Sequence, residues 1–513
     1  MTTPAGRRLM IGFEGLDPEP VLAPVLRETG AGSVILFARN LVDAAQARDL
    51  VTRIRSLVDW PLLLAVDQEG GPVVRLTEGA TVFPGNMALG AADDAELALR
   101  QGRVSGAELA AIGFDLNLAP VVDLQTNPVN PGIGIRSFGD DPSRGAALAT
   151  ALVRGHAEAG VATCLKHFPG LGAAAVDPHV DLPVLDASLE DLRVPHLEVF
   201  SRVFAETGDL PVTVMTTHLL ARGLDAERPA TLSRRVVDGL LRRELGFGGL
   251  VVSDCLEMGA IVKHGGVPEA AVGAAVAGHD LLPVCHTAER QRGAARALTA
   301  ALAEGRLDRE EHEAALARIL ALNERSRPDP GTTAAEDGAG LAREISRRAV
   351  HLFADPGGLL PLAADAAVLV IAVRPRLLVG IEEDARRDPR APIAGAFGAA
   401  GLRRTEVLAC DPADADARAA AVSRARVHPG PVVLLGWDAR GDADAANLLA
   451  ALVAACAPRL IAAHLRNPFD QALVPAEVTA LATFGFHRAQ LEALAAVLAG
   501  AVEARGRMPA AWR

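Results

Sequence analysis

"GLVVSDCL" (249–256) runs through Leu250, Val251 and Val252 and ends, one serine later, in a carboxylate, Asp254. Unbroken apolar runs of this length suit strands buried on both faces, as in parallel sheets. Seven more are spread over the first 285 residues: "RLMIGFEG" (8–15), "GSVILFARN" (32–40), "PLLLAVDQEGG" (61–71), "DLNLAPVVDL" (115–124), "VATCLKHFPG" (161–170), "PVTVMTTHLL" (211–220) and "HDLLPVC" (279–285). Between them lie Ala- and Leu-rich segments with helical periodicity, such as "DAELALRQGRVSGAELAAIG" (94–113). Eight strand–helix units before residue 330 suggest a (β/α)8 barrel. A doubly wound sheet alternates in the same way, so periodicity leaves that choice open.

The pattern breaks at "NERSRPDPGTTAAEDGAG" (323–340), whose Pro, Gly, Thr and acidic residues read as a linker. Strand-like runs then resume at "AAVLVIAV" (366–373), "PVVLLGWD" (431–438), "PRLIAAHLRNP" (458–468) and "VTALATFGF" (478–486). Helices are expected at 442–457 and 488–504. The expected organisation is an N-terminal barrel over 1–325, a linker over 326–340 and a smaller α/β sandwich over 341–513.

A chain of 513 residues exceeds the usual single domain. Aromatics are only 3%, with no Tyr, so Ala, Val and Leu must build the core. Acidic residues number 63 against 51 basic, a net charge of −12 that disfavours nonspecific nucleic-acid binding. The cysteines at 164, 255, 285, 410 and 456 are isolated, odd in number and without C-x-x-C, which fits buried free thiols in a reducing compartment. The N-terminus "MTTPAGRRLMIGFEG" lacks a long apolar h-region, and no run of about 20 apolar residues could span a bilayer. A cytosolic chain is expected.

In a (β/α)8 barrel the active site lies at the C-terminal ends of the strands. Titratable residues fall there with regularity: Asp67 after "LLLAV", Asp123 after "LAPVV" with Arg136 in the loop beyond, Lys166 and His167 after "VATCL", His218 after "VTVMTT", Asp254 after "GLVVS", and His286 after "LLPVC". One such residue is ordinary; seven on six strands are a pattern. There is no G-x-x-x-x-G-K-[ST], no G-x-G-x-x-G after a strand, no H-E-x-x-H, no G-x-S-x-G and no metal-like spacing of histidines. What remains is a carboxylate at a strand end and a proton-carrying group on a loop, the parts of retaining glycoside hydrolysis. "DPH" (177–179) offers the second part, because Asp177 can accept one imidazole N–H of His179 and leave the other nitrogen to transfer a proton.

At this point the motifs resemble glycoside hydrolase family 3, in its β-N-acetylhexosaminidase, cell-wall amino-sugar form. The resemblance rests on "AVDQEGG" (65–71) with Arg75, "NPGIGIRSFGDDP" (130–142, reading from Asn130), "KHFPGLG" (166–172), "VDPH" (176–179) and "LVVSDCLEMGAI" (250–261). Weaker echoes are "VMTTH" (214–218), "RPATLS" (228–233) and "LRNP" (465–468). It implies Asp254 as nucleophile and His179 as acid/base held by Asp177. It also implies Asp67, Arg75, Arg136, Lys166, His167 and Met258 as substrate-binding residues. It further implies removal of terminal β-linked N-acetylglucosamine through a covalent glycosyl-aspartate, with no metal or organic cofactor. The alternatives left open are a β-glucosidase or phosphorylase of the same fold, and a noncatalytic sugar-binding homologue.

The chain departs from the family pattern in four places. Leu171 and Ala173 stand where members usually have His and Asp, Pro178 where they have Ser or Thr, and Pro72 where they have Arg. The first pair removes two polar groups from the base of the loop carrying His179, so a loosened or open loop is expected to be the point of difference. His464 and Arg466 in the second domain are expected to serve a surface or an interface.

Overall fold

The computed structural model describes residues 5–263, 265–326, 328–329, 331–374 and 388–511. Eight parallel strands form the first sheet: β1 (Leu9–Ile11), β2 (Ser33–Leu36), β3 (Leu63–Val66), β4 (Leu116–Asn117), β5 (Ala162–Phe168), β6 (Val212–Thr216), β7 (Leu250–Ser253) and β8 (Leu282–Val284). Neighbours are laddered in sequence order, and β8 pairs with β1. The remaining seam, β7 to β8, is held by a Val252–Leu281 bridge and by the Ser253 N–H donating to the Leu281 carbonyl at 3.0 Å. The barrel is thus the arrangement adopted, and the doubly wound alternative is excluded. Each strand is buried along its length because helices cover the outside and side chains fill the inside.

Two strands differ from their sequence outlines. β4 is cut to two residues because Pro120 has no N–H for the ladder, and Val121 recovers only a single bridge to Lys166. β5 runs further than the apolar run that announces it, so Lys166 and His167 lie within the strand. The helix expected over 94–113 spans Ala95–Ile112, started by the Asp94 side chain accepting from the Glu96 N–H and stopped by Gly113 at φ 101°.

The last barrel helix ends at Arg325 and the next begins at Gly338. Arg327 and Pro330, within the segment read as linker, lie outside the described residues. The second sheet contains β9 (His351–Ala354), β10 (Val368–Val373), β11 (Thr405–Cys410), β12 (Val432–Gly436), β13 (Leu460–His464) and β14 (Thr479–Ala482), in the order β9-β14-β13-β12-β10-β11. Only the β9–β14 pairing is antiparallel. β9 and β11 were not legible as strands. They are the two edges of the sheet, half-exposed, and lack the continuous apolar run of a central strand. The helix expected over 488–504 closes at Leu498, two residues before Gly500 at φ 73°.

The second sheet is joined to the barrel by a shared core. Leu341, Ala342 and Ile345 of the helix Gly338–Ala349, with Phe484 beyond β14, belong to the same buried cluster as Leu97 and Val104 of the barrel. The C-terminal tail adds backbone ties: the Arg507 N–H donates to the Ala91 carbonyl at 2.9 Å, and the Asp140 N–H to the Pro509 carbonyl at 3.2 Å. Among the described residues no helix is long and apolar enough to cross a membrane.

Candidate active site

A cavity of about 290 Å³ opens at the C-terminal mouth of the barrel, at the small end of the range for small-molecule sites. Asp67, Arg75, Arg136, Lys166, His167, Asp177, His179, Asp254, Met258 and His286 all line it. Of the strand-end residues singled out in the sequence, only Asp123 and His218 stand outside the lining. Both support it from beneath. One Asp123 oxygen accepts from the His167 backbone N–H at 2.9 Å and lies 2.7 Å from its Nδ1, while the other accepts from the Leu171 N–H. His218 bridges Thr231 Oγ1 and the Cys255 carbonyl, at 2.9 and 3.0 Å.

The polar wall is an ion-pair network. Lys166 Nζ lies 2.8 Å from Asp67 and 2.6 Å from Glu69. Arg136 grips Glu69 through both ends of its fork, at 2.9 and 2.8 Å. Arg75 stands 3.7 Å from Asp67. Burial works against the Glu69 charge, but Arg136 and Lys166 outweigh it and hold the carboxyl far below its usual range. The same carboxylates, against burial, keep Lys166 and Arg136 firmly protonated. Glu69 was missed in the sequence. Its signal was a second carboxylate two residues beyond Asp67, but its pairing with Arg136 needs the fold.

Gln68 aims this wall. Its side-chain oxygen accepts from the Arg75 and Leu76 N–H groups at 3.0 and 3.2 Å, and its amide donates to the Leu76 carbonyl at 2.9 Å. The 69–73 turn requires Gly71, at φ 57°, where a Cβ would sit 2.7 Å from the Gly85 Cα. Pro72 stands in that turn, and the preceding Gly71 carbonyl is bonded at 2.6 Å by His487 of the second domain.

Asp254 follows β7 directly. Its Oδ1 accepts the Cys255 N–H at 2.7 Å. Burial pushes its carboxyl up, yet the imidazoles of His167, His218 and His179 and the Cys255 N–H together hold it below the ordinary value of 3.8. Across the cavity, Asp177 Oδ1 accepts from the His179 backbone N–H at 2.9 Å and pairs with Nδ1 at 2.8 Å. Burial lowers the imidazole's affinity for a proton, but Asp177 and Asp254 reverse this and hold it above 6.5. The His179 side chain remains 34% exposed and lines the cavity.

The loop carrying this pair is not loosened by Leu171 and Ala173. The Leu171 side chain is buried in the apolar core. The loop's backbone is held from outside instead. Asn130 donates to the Leu171 and Ala174 carbonyls, both at 2.8 Å, and Asn127 to Ala173 and Ala174, both at 3.2 Å. On the far side, the Gly259 and Ala260 N–H groups donate to the His179 and Pro178 carbonyls at 3.2 and 3.1 Å. Gly259 permits this approach, since a Cβ there would lie 2.6 Å from the Val180 oxygen and 2.7 Å from that of His179. The loop therefore sits closed, with His179 facing Asp254's cavity, where an open loop was envisaged.

Met258 adds an apolar surface to the cavity. Glu257, also in the lining, caps the helix Ala288–Ala303 by accepting from His286 and Thr287 N–H groups. Among the described residues no group of three or more His, Cys, Asp or Glu could hold a metal ion. His464 and Arg466 are buried and outside the cavity. His464 lies 3.2 Å from the Gln471 side-chain oxygen, and Arg466 donates to the Pro131 carbonyl at 3.2 Å. An ionised carboxylate facing a carboxylate-held imidazole, above a wall of fixed charges and donors, can carry out acid-assisted displacement at a polyhydroxylated ring.

Known proteins have the same architecture. Residues 9–322 match the Glycosyl hydrolase family 3 N terminal domain. A beta-hexosaminidase of Stenotrophomonas maltophilia (strain K279a) is 38% identical over 284 residues, which is 54% of this chain and 83% of that protein. A beta-hexosaminidase of Pseudomonas aeruginosa (strain LESB58) is 40% identical over 263 residues, 51% of this chain and 77% of its own length. The solved structure of a glycoside hydrolase family 3 beta-N-acetylglucosaminidase from Paenibacillus sp. str. FPU-7 superposes with a TM-score of 0.92 at 36% identity, over 100% of this chain and 99% of that one. With a barrel matched over nearly its whole length and a strand-end cavity of this composition, the chain belongs to glycoside hydrolase family 3 and is a glycosidase.

Proposed function

We propose that the chain is a retaining exo-glycosidase that removes terminal β-linked N-acetylglucosamine from peptidoglycan-derived or chitin-type oligosaccharides. The observation that carries this reading is the pairing of Asp254, held ionised, with His179, held by Asp177, across one cavity. The amino-sugar preference draws on the beta-hexosaminidase and beta-N-acetylglucosaminidase relatives.

The Cys255 N–H occupies Asp254 Oδ1, so Oδ2 attacks the anomeric carbon. The carbon–oxygen bond to the leaving group breaks as His179 Nε2 gives that oxygen a proton, Nδ1 being engaged by Asp177. Water then enters, loses its proton to the now neutral Nε2, and displaces Asp254 with a second inversion, so configuration is retained. Asp67, Lys166, Arg75, His167 and Arg136 hold the ring hydroxyls. Their network positions the ring before reaction and needs little rearrangement as charge develops.

Matched aryl N-acetyl-β-glucosaminides and β-glucosides, with and without phosphate, test the assignment. The expected result is faster cleavage of the amino sugar, independent of phosphate, with the β-anomer released first. A preference for the glucoside, or a sugar phosphate as product, would replace this reading. Incubation with a 5-fluoro N-acetylglucosaminyl fluoride should leave a covalent sugar on the peptide bearing Asp254.

A further inference from the structure

Cys255 and Cys285 read in the sequence as unconnected thiols. The barrel brings them together. They stand just past β7 and β8, and both line the cavity that holds Asp254. The Leu256 N–H donates to the Pro283 carbonyl at 2.9 Å, fixing the two strand ends side by side. Cys285 belongs to a buried cluster against which Cys255 packs, and His286, next in sequence to Cys285, lines the same cavity wall. His286 is in turn seated against Phe37, with ring centroids 5.3 Å apart. Both cysteines are free, and Cys255 is the half-buried member, so small solutes in the cavity reach it first. Cys164, Cys410 and Cys456 are buried elsewhere and do not line the cavity.

This is the environment of a reactive thiol. Hydrogen bonding from Cys285, opposed by burial and aided by His286, favours the Cys255 thiolate, whereas the Cys285 thiol is kept protonated as the donor. The position also matters to the glycosidase. The Cys255 N–H holds Asp254 Oδ1 at 2.7 Å, and its carbonyl is held by His218 at 3.0 Å. A bond that draws the Cys255 side chain toward β8 pulls on the peptide that aims Asp254.

We propose that Cys255 and Cys285 form an oxidisable dithiol in the wall of the sugar site, closed to a disulfide by hydroperoxides, and that closure reversibly switches the glycosidase off. In the first step the Cys255 thiolate attacks a peroxide oxygen. The S–O bond forms, the O–O bond breaks, and the departing hydroxide (or alkoxide) takes up a proton, leaving a sulfenic acid. In the second, the Cys285 sulfur attacks the Cys255 sulfur. Its thiol proton goes to the departing hydroxide, so the S–S bond forms as water leaves. Two thiols supply the two electrons that reduce one peroxide. A dithiol reductant reverses the change by thiol–disulfide exchange.

The full chain treated with hydrogen peroxide, then assayed and peptide-mapped without reduction, tests this. The expected result is at least a ten-fold loss of aryl-glycoside cleavage that dithiothreitol restores. The map should then contain a Cys255 peptide linked to a Cys285 peptide, lighter by two hydrogens. Cys285→Ser, compared with its own untreated sample, should form no link and should accumulate a sulfenic acid on Cys255 that dimedone captures. Absence of the linked peptide from oxidised wild type overturns the proposal, as does a linked pair with undiminished activity. Should Cys285→Ser not fold, the wild-type map decides alone. Because the map reads sulfur, its answer does not depend on which sugar the enzyme prefers.

Discussion

The two large sheets among the described residues are built alike and end differently. Both have parallel apolar strands that terminate in polar residues: Asp67, Lys166, His167 and Asp254 in the barrel, and Asp438, His464 and Arg466 in the second sheet. At the barrel mouth these groups face a cavity, partnered on one side and open on the other. At the second sheet they are turned to the protein itself: Asp438 accepts from the Asn467 amide at 2.7 Å, His464 meets Gln471, and Arg466 reaches a carbonyl of the barrel loop that carries Arg136. A closed ring of strands converges its loops on one point, whereas an open sheet presents an edge that another surface can cover. Polar strand ends become a site only where something keeps them from satisfying one another.

The comparison is most severely tested at Asp254. Asp254→Asn should lower kcat on the order of 10⁴-fold with an unchanged melting temperature, measured on an aryl glycoside. A fully active variant would remove the barrel end from the chemistry altogether. His179→Ala should cost about 10²–10⁴-fold with poor leaving groups and far less with activated aryl groups. It should also change the pH profile. On the proposed mechanism, kcat/KM of the wild type needs Asp254 ionised and His179 protonated. It should therefore fall only below 3.8 on the acid side and above 6.5 on the basic side, and the basic limb should vanish in the variant.

Glu69→Ala sharpens the contrast through stability. It leaves Arg136 and Lys166 buried with one carboxylate partner fewer, and should cost about 3–5 kcal/mol in a denaturant titration. Gly259→Ala forces a methyl group against the loop carrying His179 and should lower kcat/KM on the order of 10- to 100-fold while leaving the fold intact. The smallest effect is expected from the second sheet. Arg466→Ala removes the tie to the Pro131 carbonyl along with the side chain's other contacts, and should raise KM about five-fold with little change in kcat. A kcat loss as large as that of His179→Ala would mean that the second sheet belongs to the catalytic apparatus and that the distinction fails.

Much of the barrel was readable from the chain. Its strands are buried on both faces and so must be continuous apolar runs, and the titratable residues that end six of them are local features. The eight runs, the long helix over 94–113 and the residues Asp67, Lys166, His167 and Asp254 were visible for that reason. Edge strands β9 and β11 were not, because half-exposed strands carry no such run. Glu69 was missed and Asp123 was seen without its partner, since each acts through a group 67 or 44 positions away in sequence. The departures at Leu171 and Ala173 pointed to a weakened loop. The fold holds that loop through its backbone carbonyls, which any residue supplies, using Asn127 and Asn130 from a different strand end.

The sequence by itself determined which chemistry is present: an apolar strand that stops at Asp254, a short Asp177–His179 motif that can hold a proton, and cations enough to grip a polar ring. Only the tertiary structure decided which of these groups share one cavity, that His179 is closed over it by Gly259, and that two distant cysteines meet in its wall. The physical reason is that local order follows from neighbours in the chain, whereas a charge's effect depends on what stands within a few ångströms of it, and barrel closure sets those distances.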